Sequence, residues 1–283
     1  FDPKMHERAL DRLRTRSALT SALDARQFVV HYQPIVDLGG GEVTQFEALV
    51  RWDHPERGLL LPKDFLPAME GNATIIALGH QVIDMVCAQI AAWRADHRTV
   101  TVSINLSHRQ FWEPDLVEGI RSTLDRYQVP PACLIIEITE SVIMTEPTEA
   151  RAIMEALHKV GLRLHIDNFG TGHSSLNVLR TFPVDALKID GSFVRELALV
   201  DQTTALVRTI VAMGDALGIE VVAECVETHE QADELRAMGC TTAQGWLYAR
   251  ALPADDAGDV LGTRLSEHEA AVPSGAGGPS LSR

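Results

Sequence analysis

The sequence predicts an α/β fold, a single (β/α)8 barrel of TIM type, from three observations: about eight apolar runs of strand length, longer segments of helical period between them, and a polar residue recurring where the runs end. The runs are Phe28 to Val36, Thr44 to Trp52, Val100 to Asn105, Leu134 to Thr139, Leu162 to Asp167, Ala186 to Asp190, Glu220 to Glu224 and Thr242 to Trp246. Apolar residues at helical spacing mark Ile75 to Trp93, Leu116 to Tyr127, Thr148 to Val160, Phe193 to Leu217 and Glu230 to Met238. An open doubly wound sheet fits the same alternation and is the competing architecture.

Three segments follow from this pattern. Residues 1–16 are charged and helix-prone and read as a lead-in helix or linker; residues 17–262 carry the barrel. Residues 263–283 collect Pro273, Ser274, Gly275, Gly277, Gly278 and Pro279, a composition that cannot bury enough apolar surface to stay ordered, and read as a disordered tail.

Composition narrows the function. Hydrophobic residues make up 46% of the 283, enough for a large core. No apolar run approaches the roughly 20 residues of a bilayer span, and the charged start from Asp2 to Arg8 does not resemble a signal peptide, so a soluble chain is expected. The balance of 25 basic and 39 acidic residues, a formal charge of −14, argues against a nucleic-acid polymer or an anionic membrane as partner. Cys87, Cys133, Cys225 and Cys240 are scattered without a CxxC pair and read as reduced thiols of a cytoplasmic protein.

The strand ends are the informative feature. Glu47 and Arg51, Asn105, Glu137 and Glu140, Asp167 and Asn168, Lys188 and Asp190, Glu224 and Glu227, and Gln244 all fall at or just after the ends of runs. A parallel barrel gathers its C-terminal strand ends at one mouth, so these side chains would share one cleft. Several carboxylates cannot all stay ionised a few ångström apart without counter-charge. Arg51 and Lys188 supply part of it, and hard divalent ions that favour oxygen ligands, Mg²⁺ or Mn²⁺, supply the rest. Two such ions would activate a water and clamp a phosphoryl oxygen, with Asp167 bridging them, Lys188 orienting the water or stabilising charge on the phosphate, Glu224 coordinating the second ion and taking the proton, and Arg51 gripping a phosphate. Zinc is disfavoured: no HExxH occurs, and only His165 lies near the strand ends, where a packed barrel histidine is the better reading.

These residues sit in motifs that resemble the EAL-domain family of cyclic di-GMP-specific phosphodiesterases. The run Glu47-Ala48-Leu49-Val50-Arg51-Trp52 resembles its signature. Gln33-Pro34-Ile35, Asn105-Leu106-Ser107, Glu137-Ile138-Thr139-Glu140, Asp167 to Gly172, Leu187-Lys188-Ile189-Asp190, Ala223 to Glu227 and Gln244-Gly245 follow in the family's order, over about residues 17 to 262. The resemblance implies hydrolysis of cyclic di-GMP to linear pGpG in bacterial signalling, with two Mg²⁺ or Mn²⁺ ions. Glu47, Asn105, Glu137 and Asp167 would hold the first ion, and Asp167, Asn168 and Glu224 the second. Lys188 and Glu224 would be catalytic; Gln33, Arg51, Asp190 and Gln244 would contact the ligand. Glu140, with Glu227 as a further outer residue, would anchor the loop from Asn168 to Leu176 that links the metal centre to a dimer interface. A homodimer and an upstream GGDEF or sensory domain are further implications.

The sequence departs from the family at four places. Asn168 stands for the usual second aspartate and keeps a carbonyl oxygen but loses a charge, which weakens the second metal. Cys225 replaces a glycine beside Glu224, His173 replaces an aromatic, and Trp246 replaces a smaller aromatic, the last two keeping a planar ring for packing. Two other functions are therefore weighed: a receptor that binds cyclic di-GMP without turnover, favoured by Asn168 and Cys225, and an interaction module without ligand, disfavoured by Gln33, Arg51 and Lys188.

Overall fold

Period-two alternation within the apolar runs builds the barrel. On β2 (Val43–His54), β4 (Val102–Asn105), β5 (Leu134–Thr139), β6 (Arg163–Phe169), β7 (Ala186–Ile189) and β8 (Glu220–Ala223), one set of side chains packs outward into a single large core. It includes Phe46, Ile104, Ile136, Ile166, Leu187 and Val221. The alternate set points inward, where Ile35, Ala186 and Val222 form a small separate cluster. The computed structural model describes residues 18–265 except 97, 173–178 and 198; the expected lead-in stretch and most of the expected tail lie outside the described residues.

The sheet runs β1 (Phe28–Asp37), β9 (Thr242–Ala243), β8, β7, β6, β5, β4, β2, and β2 pairs back onto β1 to close eight strands. The (β/α)8-type barrel is thus present, and the open sheet is excluded. One strand breaks the expected parallel pattern: β1 is antiparallel to both neighbours, with Phe28 opposite Trp52 and Val36 opposite Ala243. The cause is the short connection Leu38–Glu42, which allows a hairpin but no crossover. Asp37 closes it by accepting from the Gly40 N–H through Oδ2 (2.6 Å) and from the Gly41 N–H through its carbonyl (2.8 Å), with Gly41 at φ 71°.

Other elements depart from the expected bounds. An extra strand, β3 (Gly58–Leu60), folds back on the end of β2. Its lobe carries a second core, in which Leu19, Ala22 and Leu23 of the helical residues 18–24 meet Phe28, Trp52 and Phe65. The long helix expected from Phe193 to Leu217 is two, Gly191–Arg195 and Asp201–Leu217, because Val200 is extended (φ −128°, ψ 110°). The last strand stops at Ala243, and residues 263–265, assigned to the tail, are pinned by the Thr263 carbonyl to the Val43 N–H (3.0 Å) and by the Leu265 N–H to the Gly41 carbonyl (2.9 Å).

Helix Thr74–Ala95 is, by length and composition, long and apolar enough to cross a membrane, contrary to the expectation that no segment approaches this. Here it presents the stripe Ile83, Val86, Ile90 and Trp93 to the barrel, as expected of a core-facing helix, and Leu78 to the second core. The four cysteines are free thiols. Ile136 lies in the outward layer with no exposed surface. Ile136→Ala is expected to cost about 2–5 kcal/mol, read as a lowered urea midpoint with unchanged m-value.

Candidate active site

The inward face becomes polar toward the C-terminal strand ends. Parallel ladders set the heights: Asn105 lies opposite Glu137, and Lys188 follows Ala186 on the same face. Lys188, fully buried, stands at the centre; its Nζ donates to Glu137 Oε2 (2.7 Å) and Glu47 Oε2 (3.1 Å) and pairs with Glu224 Oε1 (2.7 Å). Those three contacts match the three protons of an ammonium. Glu47 is held further by Asn105 Nδ2 on Oε1 (2.7 Å) and Gln244 Nε2 on Oε2 (2.9 Å).

Four carboxylates therefore surround one cation. Burial would push the Lys188 ammonium down, but Glu137, Glu224, Glu47 and Asp167 together hold it well above the ordinary lysine value. Glu47 is lowered because Lys188, Gln244 and Asn105 outweigh its burial. The others lack that support. Burial, then repulsion from Glu47, pushes Glu137 up to about 8; burial, with Asp167 and Glu47, pushes Glu224 up to about 7; burial also raises Asp167. Even with Lys188 in place, the cluster favours bound protons or added positive charge.

Asp167 makes its bonds locally, Oδ1 accepting the Asn168 N–H (2.7 Å) and Oδ2 the Asn168 side-chain amide (3.3 Å). Asn168 is left-handed (φ 54°), a conformation that asparagine tolerates better than most residues. Glu140, buried, accepts from the N–H groups of Gly170 (3.0 Å) and Gly172 (3.3 Å) through Oε2; the remainder of the loop and His173 fall outside the described residues. At the rim, Gln33 Nε2 donates to the Ala249 carbonyl (3.2 Å). Arg51, lowered by burial and raised by Glu47, makes no ion pair among the described residues and donates to the Val50 carbonyl (2.9 Å).

Three further candidate residues have local protein contacts. Gln244 is buried beneath the mouth, and its amide donates to Glu47 Oε2. Asp190 caps helix Gly191–Arg195, accepting from the Ser192 N–H (2.8 Å) and hydroxyl, the preferred use of an aspartate at that position. Glu227 is exposed, and its backbone N–H, not its carboxylate, is the group engaged, donating to Gln231 Oε1 (2.7 Å). Trp246 is 53% exposed instead of packed, with the Arg250 guanidinium 4.4 Å from its ring centre. Cys225 is left-handed (φ 56°), and its Sγ occupies the space that a side chain at Gly191 would need.

Sequence reading missed the inward layer below the carboxylates, although Arg163, His165 and Asp167 alternate visibly along β6. His165 is buried there and pushed down to about 3 by burial and by the Lys188 and Arg163 charges, which leaves it neutral.

Among the described residues, no three His, Cys, Asp or Glu side chains converge on one metal position; the carboxylates are drawn onto Lys188 instead. The donor set nevertheless fits a hard divalent cation. It is made of oxygen, it carries excess negative charge, and Glu137 Oε1 is buried without a hydrogen-bond partner. Glu47, Asn105, Glu137, Asp167, Asn168 and Glu224 are the residues able to hold such ions.

The family follows from sequence and fold together. Residues 16–251 match the EAL domain, and the chain belongs to that family. It is 40% identical over 256 residues to the bifunctional diguanylate cyclase/cyclic di-GMP phosphodiesterase MucR of Pseudomonas aeruginosa, covering 90% of this chain and 37% of that protein. It is 37% identical over 254 residues to the cyclic di-GMP phosphodiesterase PdeR of Escherichia coli, covering 90% and 38%. The chain thus spans little more than a third of the length of these relatives. The solved MucR phosphodiesterase in complex with c-di-GMP superposes with a TM-score of 0.84 at 40% identity, covering 86% of this chain and 99% of that one. The EAL enzyme Bd1971 with cGMP bound gives 0.86 at 29% identity, covering 91% and 72%.

Two outcomes follow from the charge balance. Glu137, Glu224 and Asp167 bind protons more tightly folded than unfolded, so the chelator-treated protein is expected to lose stability as pH rises. His165 acts in the opposite sense, but only below its ordinary value of 6.5, so the decline is read as a falling Tm between pH 6.5 and 8. Lys188→Met is expected to cost about 3–5 kcal/mol at pH 8, by urea denaturation in chelator, and less at pH 6, where the carboxylates take up protons.

Proposed function

We propose that this domain hydrolyses cyclic di-GMP to the linear dinucleotide pGpG with two Mg²⁺ or Mn²⁺ ions. The observation that carries the proposal is the cluster of Glu47, Glu137 and Glu224 around Lys188 at the C-terminal mouth, in a chain related to cyclic di-GMP phosphodiesterases. Glu47, Asn105, Glu137 and Asp167 would hold one ion, and Asp167, Asn168 and Glu224 the other. When bound, the ions supply positive charge to the phosphate and lower the pKa of water.

The chain's own groups do the rest. Arg51 binds the phosphate through its planar fork, and Gln33 places the ligand beside it. Glu224, already raised to about 7, takes a proton from the attacking water. The new P–O bond forms as the bond from phosphorus to the 3′ oxygen breaks, and that oxygen leaves as a hydroxyl after protonation. Lys188 stabilises charge on the phosphate once its carboxylate contacts are shared with the ions. A cytoplasmic location, a homodimer and an upstream GGDEF or sensory domain complete the proposal.

A second reading, a receptor without turnover, rests on the Asn168 amide folded onto Asp167 and the left-handed Cys225 beside Glu224. Turnover of cyclic di-GMP with Mg²⁺ and then Mn²⁺, with the product resolved by chromatography and Glu47→Ala as blank, separates the two. The enzyme reading expects metal-dependent pGpG that the blank lacks, and a rate about tenfold higher in Asn168→Asp, whose charge strengthens the second metal site. Tight binding with no product in either metal overturns it in favour of the receptor.

A further inference from the structure

Beneath the carboxylates, the barrel interior holds buried polar atoms that the hydrolytic scheme does not use. Both ring nitrogens of His165 (1% exposed), Glu137 Oε1 (residue 1% exposed), Gln244 Oε1 and Arg163 Nε have no hydrogen-bond partner among the described residues. Buried polar groups in native proteins are almost always satisfied, by protein or by ordered water. Their placement is specific. The β5–β6 register sets Glu137 directly opposite His165, and the β6–β7 register sets His165 opposite Ala186, both on the inward face. On the Ala186 side the neighbours are apolar, with Val222 and Ile35 in the same cluster. Lys188 cannot serve His165, because its three protons are engaged by Glu47, Glu137 and Glu224.

The unmatched groups complement one another. A neutral imidazole has one N–H donor and one acceptor nitrogen, and Arg163 Nε is a second donor. Glu137 Oε1 and Gln244 Oε1 are acceptors. A water between His165 and Glu137 accepts from the imidazole N–H and donates to Glu137 Oε1, with a second proton for Gln244 Oε1; these are the roughly three hydrogen bonds usual for a buried water.

We infer that His165 is a positioning residue for the site, holding Glu137 through a buried water so that its carboxylate faces the cation position. The inference rests on the metal reading of the mouth proposed above. Outer groups that orient a metal ligand commonly set affinity and rate by tenfold or more. The structural alternative, in which His165 merely fills space beside Ala186, predicts that an apolar side chain of similar size serves equally well.

The test compares His165→Leu, which fills the space without hydrogen bonds, with His165→Gln, which keeps a donor and an acceptor. Mn²⁺ affinity is measured by calorimetry, kcat and KM for cyclic di-GMP separately, and folding by thermal melts. Folded His165→Leu is expected to bind Mn²⁺ about tenfold more weakly and to lose kcat with little change in KM, while His165→Gln stays within about threefold of wild type on both. A folded His165→Leu with wild-type Mn²⁺ affinity and kcat overturns the inference. If that variant does not fold, an atomic-resolution crystal structure of the wild-type domain decides: a water within hydrogen-bond distance of both His165 and Glu137 supports the bridge, and a protein group or no water there overturns it. Wild-type protein that binds no Mn²⁺ overturns the metal reading instead, and the same crystallographic water still settles the bridge by itself.

Discussion

Removing an ammonium from water is costly, and the fold does so completely with Lys188, surrounding it with carboxylates that are themselves mostly buried. The contacts come from β2, β5, β7 and the turn after β8, strands far apart in sequence that only a closed barrel brings to one level. Because Lys188 neutralises only part of the charge it gathers, the mouth is stable only with further positive charge or bound protons. The imbalance that makes the site unfavourable for folding is the one that added positive charge would relieve.

The support of this cluster is graded. Among the described residues Glu47 has three donors, Lys188, Asn105 and Gln244, which lower its proton affinity; Glu137 has one, and Glu224 pairs with Lys188 from a partly open position. Similar carboxylates are thereby pushed apart in proton affinity by their local surroundings, Glu47 downward and Glu224 upward. Chemistry of this kind depends on the inner neighbours as much as on the residues at the surface of the cleft.

Much of this was legible in the sequence because barrel strands repeat at period two and end in chemically similar residues. Glu47, Asn105, Glu137, Lys188 and Glu224 were placed at one mouth by that reasoning alone, and they meet there. What escaped it was local. The reversal of β1 is encoded in Asp37–Gly41, a turn whose glycines were read past in favour of the barrel pattern. The capping role of Asp190 depends on its position just before a short helix, which the strand pattern does not show. Only the fold shows that the Gln244 amide reaches Glu47.

The reversed first strand has a wider geometric effect. In a barrel of eight parallel strands the chain enters at the end remote from the site; here Phe28 pairs with Trp52, so entry is on the active side. The helical residues 18–24 therefore lean on Trp52, the immediate neighbour of Arg51, through the shared packing of Leu19, Leu23 and Phe28. Whatever displaces that helix acts on the rim that carries Arg51 over a distance of a few side chains, with no need to transmit strain through the barrel wall.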